Sequence, residues 1–239
     1  MAGESLYTSH ARLYDRIYAR KQYRRESAGL HRLLVREGVP EGSAVLEVGC
    51  GTGRYLQPLS EHFAVRGLDL SPEMVALAGQ RVPDVPLEVG DLAELTVTEP
   101  LDAILCLHGA VAYLPDLPTL EQATARFHAA LRPGGCLLLH PVGPELVAGT
   151  LWMNGFREEG AALAWMAHME RTDDGHAELE FQWLLGRGGE GIEHGRDVHR
   201  LRLFTRAEIA GALAGAGFEL RFDPDELDDR GLWIARRRA

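Results

Sequence analysis

The most informative segment of this chain is Val45-Leu46-Glu47-Val48-Gly49-Cys50-Gly51-Thr52-Gly53. Its first residues are apolar, as in a buried strand, and they run directly into a glycine-rich turn. Glycine has no Cβ and adopts positive φ without strain, so this turn allows a bulky ligand to lie against the main chain. We therefore predict a nucleotide-like ligand here, with a strand-to-helix turn that binds nothing as the alternative.

The spacing of the glycines indicates the kind of ligand. The nicotinamide fingerprint G-x-G-x-x-G places its third glycine at a helix N-terminus that receives a pyrophosphate. This turn reads G-x-G-x-G instead, and Glu47 lies two positions ahead of it, where it would repel an anion. A cofactor with a cationic amino group and no phosphate suits the turn better. We predict S-adenosylmethionine, which carries an ammonium and a sulfonium.

A second acidic residue follows at the distance that a nucleotide site requires. Residues 64–70 form an apolar stretch typical of a strand, and Asp69 near its end lies about twenty residues beyond Gly49. A doubly wound sheet places the carboxylate that binds ribose hydroxyls at this distance. Because Ser71 and Pro72 supply the N-cap and first-turn proline of the next helix, the side chain of Asp69 is expected to be free for a ligand.

Two further predicted strands end in ionisable side chains. Asp91 follows the apolar stretch 85–89, and a fourth strand over 102–107 ends in His108 and Gly109. In an open parallel sheet, ligands bind outside the carboxyl ends of the strands, near the switch in strand order. The residues expected to converge there are Glu47, Asp69, Asp91 and His108.

These motifs, in this order, resemble those of the class I S-adenosylmethionine-dependent methyltransferases. The resemblance covers about residues 45–140 and is carried by E-V-G-C-G-T-G (47–53), G-L-D-L-S-P-E-M (67–74), G-D-L (90–92) and L-R-P-G-G (131–135). It implies that Glu47 and the glycine turn hold the methionine end, Asp69 the ribose, Leu70 and Met74 the adenine faces, and Asp91 with Leu92 the adenine edge, with Leu107 near the sulfonium. The full set of implied cofactor contacts is Tyr23, Glu47, Gly49, Cys50, Gly51, Gly53, Asp69, Leu70, Met74, Gly90, Asp91, Leu92 and Leu107.

A narrower resemblance extends beyond that core. The segments 14–18 (Y-D-R-I-Y), 21–23 (K-Q-Y), 109–114, 203–205 and 230–232 are similar to the bacterial nucleotide-aminosugar N,N-dimethyltransferases. That family methylates a sugar amine twice, and the resemblance places Tyr18 and Tyr113 near the amine and Arg230 at the substrate. This chain departs from the family pattern at His140-Pro141-Val142, where Glu-Pro-Trp is common, and at the acidic segment 225–229, which replaces a glycine-rich phosphate contact.

Composition and charge restrict the partners. A net charge of −10 argues against a nucleic-acid backbone as partner, since phosphate neutralisation requires a basic surface. The three cysteines are odd in number and show no metal-ligand pairing, so they are expected to be buried, reduced fillers. Without a signal-peptide pattern or a membrane-length apolar run, we expect a cytoplasmic protein that acts on a small molecule, with a homodimer as an option.

The positions of glycine and proline, together with the hydrophobic periodicity, divide the chain into four parts. We expect an N-terminal helical cover over 1–40, a cofactor-binding Rossmann-like core over 41–141, a substrate lid over 142–204, and a final helix with two strands over 205–239. The predicted fold class is α/β, a doubly wound, mostly parallel sheet with an antiparallel insertion after the fifth strand. The last strand is expected to be antiparallel.

The predicted lid is rich in aromatic side chains. Trp152 and Phe156 are the candidates for a substrate wall. Phe181 and Trp183 alternate with Glu180 and Gln182, which favours core packing of an antiparallel strand pair over a pocket role. Four histidines of this region, His168, His176, His194 and His199, lack the i, i+4 spacing and carboxylate partners of a metal site, so no metal is predicted.

The chemistry of methyl transfer leaves the acceptor open. A neutral amine needs alignment, for which Tyr18 or Tyr113 could orient the lone pair, whereas a hydroxyl needs a base, for which His108 or His140 is suited. For His140, a structural role beside Pro141 is an equal alternative. An S-adenosylmethionine enzyme that transfers no methyl, such as a cyclase, and a nicotinamide-dependent reductase are the competing hypotheses.

Overall fold

The central sheet has seven strands. The computed structural model describes residues 5–8, 10–19, 21–144, 150–158, 160–228 and 230–238. The strands are β1 (Ala44–Val48), β2 (Ala64–Asp69), β3 (Leu87–Val89), β4 (Leu101–Cys106), β5 (Leu131–Leu139), β10 (Phe218–Asp223) and β11 (Leu232–Arg237). Their spatial order is β10-β11-β5-β4-β1-β2-β3. Strand β11 is antiparallel to both of its neighbours, and the other observed pairings in this sheet are parallel, so the predicted fold class is confirmed.

Six α-helices accompany the strands in the described residues. They are α1 (Ala11–Ile17), α2 (Tyr23–Arg36), α3 (Leu56–Leu59), α4 (Pro72–Arg81), α5 (Leu117–Ala130) and α6 (Arg206–Gly215). The side chain of Ser71 caps α4, with Pro72 in its first turn, and Thr205 forms a capping box with Glu208 at α6. Both helix starts confirm the predictions. No described helix has the length and apolar character needed to span a membrane.

Both faces of the central sheet are covered. All six residues of β4 are buried, as expected of a central strand in a parallel sheet that is packed on both sides. On one face α5 contributes Leu120 and Phe127, and on the other α2 contributes Leu30 and Leu33. The three cysteines are free and buried, as their spacing predicted. The carboxyl ends of β1, β2, β4 and β5 therefore meet at one solid edge of the sheet.

A second sheet follows β5. It is an antiparallel meander of β6 (Thr150–Glu158), β7 (Ala161–Arg171), β8 (His176–Arg187) and β9 (Gly191–Arg202). The sequence predicted a strand pair here, and the structure has four strands. Phe181 and Trp183 are 6% and 2% exposed; Trp183 packs in the core as expected, whereas Phe181 also borders a cavity, in contrast to the prediction. Trp183 lies over Gly195, where an added Cβ would approach its ring to 2.0 Å.

The predicted N-terminal cover consists of two helices. The chain turns between α1 and α2, and Leu6, Leu13 and Ile17 pack on the inner face of the second sheet. Asp15 of α1 accepts hydrogen bonds from the Thr52 hydroxyl at 2.6 Å and from the Arg54 Nε at 3.0 Å. Its other oxygen accepts from Arg81 of α4 at 2.5 Å. Helix α1 is thereby held against the glycine turn that follows β1.

Candidate active site

A cavity of about 420 Å³ opens where the N-terminal segment, the central sheet and the second sheet meet. Its floor is the carboxyl edge of the central sheet, the position at which open α/β sheets bind ligands. All six tyrosines of the chain line it: Tyr7, Tyr14, Tyr18, Tyr23, Tyr55 and Tyr113. So does Lys21, the only lysine of the sequence. The cavity has a backbone-lined end at the glycine turn and an aromatic end beneath the second sheet.

The glycine turn has the geometry that its sequence predicts. Gly49, Gly51 and Gly53 have φ angles of 70°, 53° and 73°, in the left-handed region. A Cβ on Gly49 would lie 2.8 Å from the Cβ of Ala110, and both Gly49 and Gly51 line the cavity. Gly53 does not line it, because it faces α4, where an added Cβ would lie 3.2 Å from that of Ala78.

Glu47 provides the test of whether this end fits S-adenosylmethionine. The residue is buried, it lines the cavity, and its Oε2 atom has no hydrogen-bond partner among the described residues. Burial, with a smaller contribution from the charge of Asp69, raises the pKa of Glu47 well above its usual range. A buried carboxyl without a partner is costly until a donor reaches it. An ammonium group on the turn would supply that donor, so the residues present fit the cofactor.

Asp69 is less free than predicted. Its carboxylate accepts hydrogen bonds from the backbone N–H of Gly51 at 2.7 Å and of Ser71 at 2.9 Å. Burial raises the pKa of Asp69, against the lowering effect of these two hydrogen bonds. A carboxylate has about four acceptor positions, but Asp69 does not line the cavity, so its contact with a ribose stays a prediction. The expectation of an unengaged side chain was wrong because the residue also orders the glycine turn.

The residues expected around the adenine do not line the cavity. They are Leu70, Met74, Gly90, Asp91 and Leu92. Leu70 is 68% exposed, Met74 is a buried residue of α4, and Asp91 caps a short 3-10 helix by accepting from the Ala93 N–H at 2.8 Å. Their adenine contacts therefore stay predictions. The N-terminal segment reaches this region as well, because the Ser71 hydroxyl donates to the carbonyl of Tyr7.

His108 lies in a network of side chains at the middle of the cavity. Its Nε2 atom is 2.9 Å from the Lys21 Nζ and 2.5 Å from the Tyr55 hydroxyl, while its Nδ1 atom accepts from Arg230 at 3.1 Å. The Tyr55 hydroxyl in turn donates to Glu26. A lysine ammonium and an arginine guanidinium can only donate, so each ring nitrogen of His108 faces a donor group. Both ring nitrogens are thus engaged within the protein.

Burial decides the protonation of this network. It lowers the pKa of His108 far below its usual range, with the nearby Lys21 charge acting in the same direction. It also lowers the pKa of Lys21 to about 8, against the raising effect of Glu26. His108 lines the cavity as predicted, but a neutral ring with both nitrogens engaged is poorly suited to accept a substrate proton. We assign it to holding Lys21 and Tyr55.

His140 does not line the cavity, in contrast to its predicted catalytic role. The residue is 0% exposed, its Nε2 is 2.8 Å from the Asp228 carboxylate, and its Nδ1 accepts from the His108 backbone N–H at 3.3 Å. Arg230, which lines the cavity as predicted, donates to the same Asp228 at 2.6 Å. His140 is therefore a structural residue, because two neighbours use its ring from behind the cavity wall.

The second sheet contributes one of the two predicted wall residues. Trp152 lines the cavity, together with Trp165 and Phe181. Phe156 does not, because it packs against the cluster below the sheet, with the Arg16 guanidinium 5.8 Å from its ring centroid. The prediction of Phe156 as a substrate contact was wrong for lack of the strand register, which places it four residue pairs beyond Trp152 along β6.

Tyr18 and Tyr113 both line the cavity, as the resemblance implied. Burial raises the pKa of Tyr18 to about 12. The Tyr113 hydroxyl lies 2.8 Å from that of Tyr7 and 3.3 Å from His199 Nδ1. Their hydroxyl groups place polar contacts on an otherwise aromatic wall. Of the other predicted contacts, Tyr23, Cys50 and Leu107 also line the cavity.

Several residues of the site were not predicted. Tyr7 and Tyr14 belong with Tyr18, and their spacing of seven and four residues is that of one helical face, a signal that the sequence did contain. Asp197 and His199 were missed because an alternating polar pair in a strand shows its direction only when the sheet register is known.

Comparisons with known proteins agree with this geometry. Residues 45–135 match the family model described as a methyltransferase domain. The chain is 32% identical to the dTDP-3-amino-3,6-dideoxy-alpha-D-glucopyranose N,N-dimethyltransferase of Streptomyces fradiae, covering 93% of this chain and 89% of the relative. It is also 32% identical to the dTDP-3-amino-3,4,6-trideoxy-alpha-D-glucopyranose N,N-dimethyltransferase of Streptomyces venezuelae, over 94% and 96%.

Solved structures extend the similarity to three dimensions. The crystal structure of Streptomyces venezuelae DesVI superposes with a TM-score of 0.88 at 30% identity, over 95% of this chain and 97% of that one. The S-adenosylmethionine-bound CalS10, an amino pentose methyltransferase from Micromonospora echinaspora, gives 0.85 at 34% identity, over 94% and 96%. With the motifs, the carboxyl-edge cavity and these relatives in agreement, the chain belongs to the class I S-adenosylmethionine-dependent methyltransferases that act on small molecules.

Proposed function

We propose that this methyltransferase acts on the amine of an amino sugar. The observation that carries the proposal is the acceptor end of the cavity, where the hydroxyls of Tyr18 and Tyr113 lie among aromatic side chains, across from the glycine turn. Hydroxyls can orient an amine by hydrogen bonds, and aromatic faces suit the apolar face of a sugar ring. The printed names of the relatives, which act on dTDP-linked amino sugars, support the same choice.

The protein has three tasks in this reaction. S-adenosylmethionine supplies an electrophilic methyl group when bound. The chain binds the methionine end through Glu47 and the glycine turn, aligns the acceptor, and excludes water. Alignment of two reactants alone is worth about 7–11 kcal/mol of the barrier. Helix α1, which Asp15 holds against the turn, covers the cavity from above.

The acceptor amine must be neutral to present a lone pair. Burial in the cavity disfavours the charged form of a bound amine, and three cationic side chains line the cavity, namely Lys21, Arg54 and Arg230. Each of the three is balanced by an acid, respectively Glu26, Asp15 and Asp228. The site can therefore hold a neutral amine without the protein itself carrying an uncompensated buried charge. We further propose that residues 142–204 serve as the substrate lid, through Trp152, Trp165 and Phe181.

The experiment is a comparison of matched acceptors. Purified enzyme and S-adenosylmethionine are incubated with a dTDP-3-amino-3,6-dideoxyglucose, with the free amino sugar, and with the corresponding hydroxyl sugar, and products are followed by mass spectrometry. We expect methylated product and S-adenosylhomocysteine from the amines and none from the hydroxyl analogue. Methylation of the hydroxyl sugar at a comparable rate, or none of the amines, contradicts the proposal.

A further inference from the structure

Two ionisable side chains are buried in the second sheet beside the cavity. Asp197 and His199 are 0% and 1% exposed, two residues apart on the inner face of β9. One carboxylate oxygen of Asp197 accepts the backbone N–H of Leu6 at 2.7 Å and lies 3.4 Å from His199 Nε2. The other ring nitrogen of His199, Nδ1, lies 3.3 Å from the hydroxyl of Tyr113. Together they form a line of polar groups from the sheet interior to the cavity.

The Asp197 carboxylate determines which atom donates each hydrogen bond in this series. A carboxylate accepts and does not donate, so Asp197 favours the tautomer of His199 that carries its proton on Nε2. Nδ1 is then an acceptor, and the Tyr113 O–H donates to it. The Tyr7 hydroxyl, 2.8 Å from the Tyr113 oxygen, then donates to it, so the Tyr113 oxygen accepts from Tyr7 and from a ligand. Tyr113 thus acts as an acceptor toward the substrate.

We propose that Asp197 and His199 are positioning residues that make Tyr113 the acceptor of the substrate's N–H and the first receiver of the proton that methyl transfer releases. This inference rests on the proposed function. When nitrogen gains the methyl group, it becomes positively charged. Its N–H proton moves to the Tyr113 oxygen as the Tyr113 proton moves to His199 Nδ1. The resulting imidazolium is stabilised by the Asp197 carboxylate, and the proton later returns to solvent through Tyr113, which is 38% exposed.

The arrangement also limits the number of transfers. A primary amine and a secondary amine both retain an N–H in their neutral forms, so either can donate to Tyr113 and be aligned. A neutral tertiary amine has no N–H left to donate. The enzyme is therefore expected to add two methyl groups and to stop before a quaternary ammonium forms.

The isosteric variant Asp197→Asn tests the charge that supports this series of hydrogen bonds. The Leu6 N–H and His199 Nε2 share one oxygen of Asp197, and the side-chain carbonyl of asparagine can occupy that position and keep both contacts. The variant then lacks the negative charge that stabilises the imidazolium formed when Tyr113 passes its proton to His199. We expect kcat to fall by about 10²-fold, the range of a lost acid–base contact, with KM for S-adenosylmethionine unchanged.

Tyr113→Phe supplies the second arm. It keeps the ring and removes the hydroxyl, so kcat should fall to a similar extent. Because Asp197 acts through Tyr113, the double variant Asp197→Asn/Tyr113→Phe should lose no more than Tyr113→Phe alone. Asp174→Asn, an exposed carboxylate at the β7–β8 turn, is the matched control and should leave kcat unchanged.

The outcomes separate this inference from the proposed function. If the parent enzyme methylates no amine, the proposed function fails. If the parent methylates amines but Asp197→Asn retains full kcat, or if the losses of the two single variants multiply in the double variant, Asp197 and His199 are structural only. Should Asp197→Asn fail to fold, full kcat in Tyr113→Phe would overturn the inference by itself.

Discussion

The two ends of the cavity are built in different ways. At the methionine end, a single turn of backbone and the buried carboxyl of Glu47 form the surface that a ligand meets. At the acceptor end, Tyr18 arrives from the end of α1 and Tyr113 from the loop after β4, and His199 of β9 contacts Tyr113. Backbone surface tolerates little change, because every atom is fixed by the sheet. Side chains on separate segments can be exchanged one at a time, so the acceptor end is where specificity is adjusted.

The largest effect is expected from Gly49→Ala. This change puts a Cβ 2.8 Å from that of Ala110 at a residue with φ of 70°. We expect loss of measurable S-adenosylmethionine binding by calorimetry. The control is Gly134→Ala, which has φ of 79° and open space around it, and which should cost about 1 kcal/mol of stability with cofactor affinity unchanged. Equal effects of the two variants on binding would contradict the distinction between backbone strain and a filled site.

A smaller loss is expected from Glu47→Gln, which keeps the shape of the side chain. Hydrogen bonds to charged groups are worth about 1.5–3 kcal/mol, so cofactor affinity should fall about tenfold to about a hundredfold. The KM for the acceptor should not change, because Glu47 lies at the opposite end. Titration calorimetry gives the affinity, and steady-state kinetics gives the KM. A change confined to the acceptor KM would place the ligands the other way round.

The next prediction concerns the ion pair of Asp228 and Arg230 at the acceptor end of the cavity. Asp228 engages Arg230 and His140, and these two contacts hold its pKa well below its usual range. Asp228→Asn keeps one acceptor oxygen, loses the other acceptor position and the negative charge, and so releases the positive charge of Arg230. We expect the KM of a nucleotide-linked amino sugar to fall, by about tenfold at most for a half-exposed pair, while that of the free amino sugar stays constant. The reason is that we expect Arg230 to bind a phosphate of the nucleotide. An equal change in KM for both acceptors would contradict that contact.

The smallest effect concerns Lys21 and pH. Its pKa of about 8 lies below the ordinary lysine value of about 10.4, so the folded state disfavours the charged form. The unfolded state therefore binds more protons between these two values, and stability rises with pH across that range. Compared with Lys21→Met, the parent should gain about 1 kcal/mol in unfolding free energy from pH 8 to 9. Denaturant titration at each pH measures this difference, and a constant difference would refute the shifted pKa.

The sequence predicted the geometry of the glycine turn and its neighbouring acids well because these residues are close together in the chain. One strand, one turn and the acid at the end of β2 lie within 25 positions of one another, and each has a recognisable spacing. The acceptor end depends on contacts between segments far apart. Tyr113 and His199 are separated by 86 positions, and only the register of the second sheet brings them together.

The errors follow from the same cause. Phe156 and Trp152 look alike in the sequence, and a shift along β6 decides that only Trp152 faces the cavity. His140 ends a strand at the catalytic edge, as a base would, but Asp228 from the C-terminal region occupies its ring. Neither outcome can be read from periodicity, since both depend on which distant segment covers the residue.

The identity of the atom that receives the methyl group is the most direct test of amine methylation. The enzyme is given S-adenosylmethionine labelled with ¹³C in its methyl group and an amino sugar that also carries free hydroxyls, and the product is examined by NMR correlation. We expect the label on nitrogen, as two equivalent methyl groups. A label on a sugar oxygen would contradict it, because the tyrosine-lined end would then be aligning a hydroxyl.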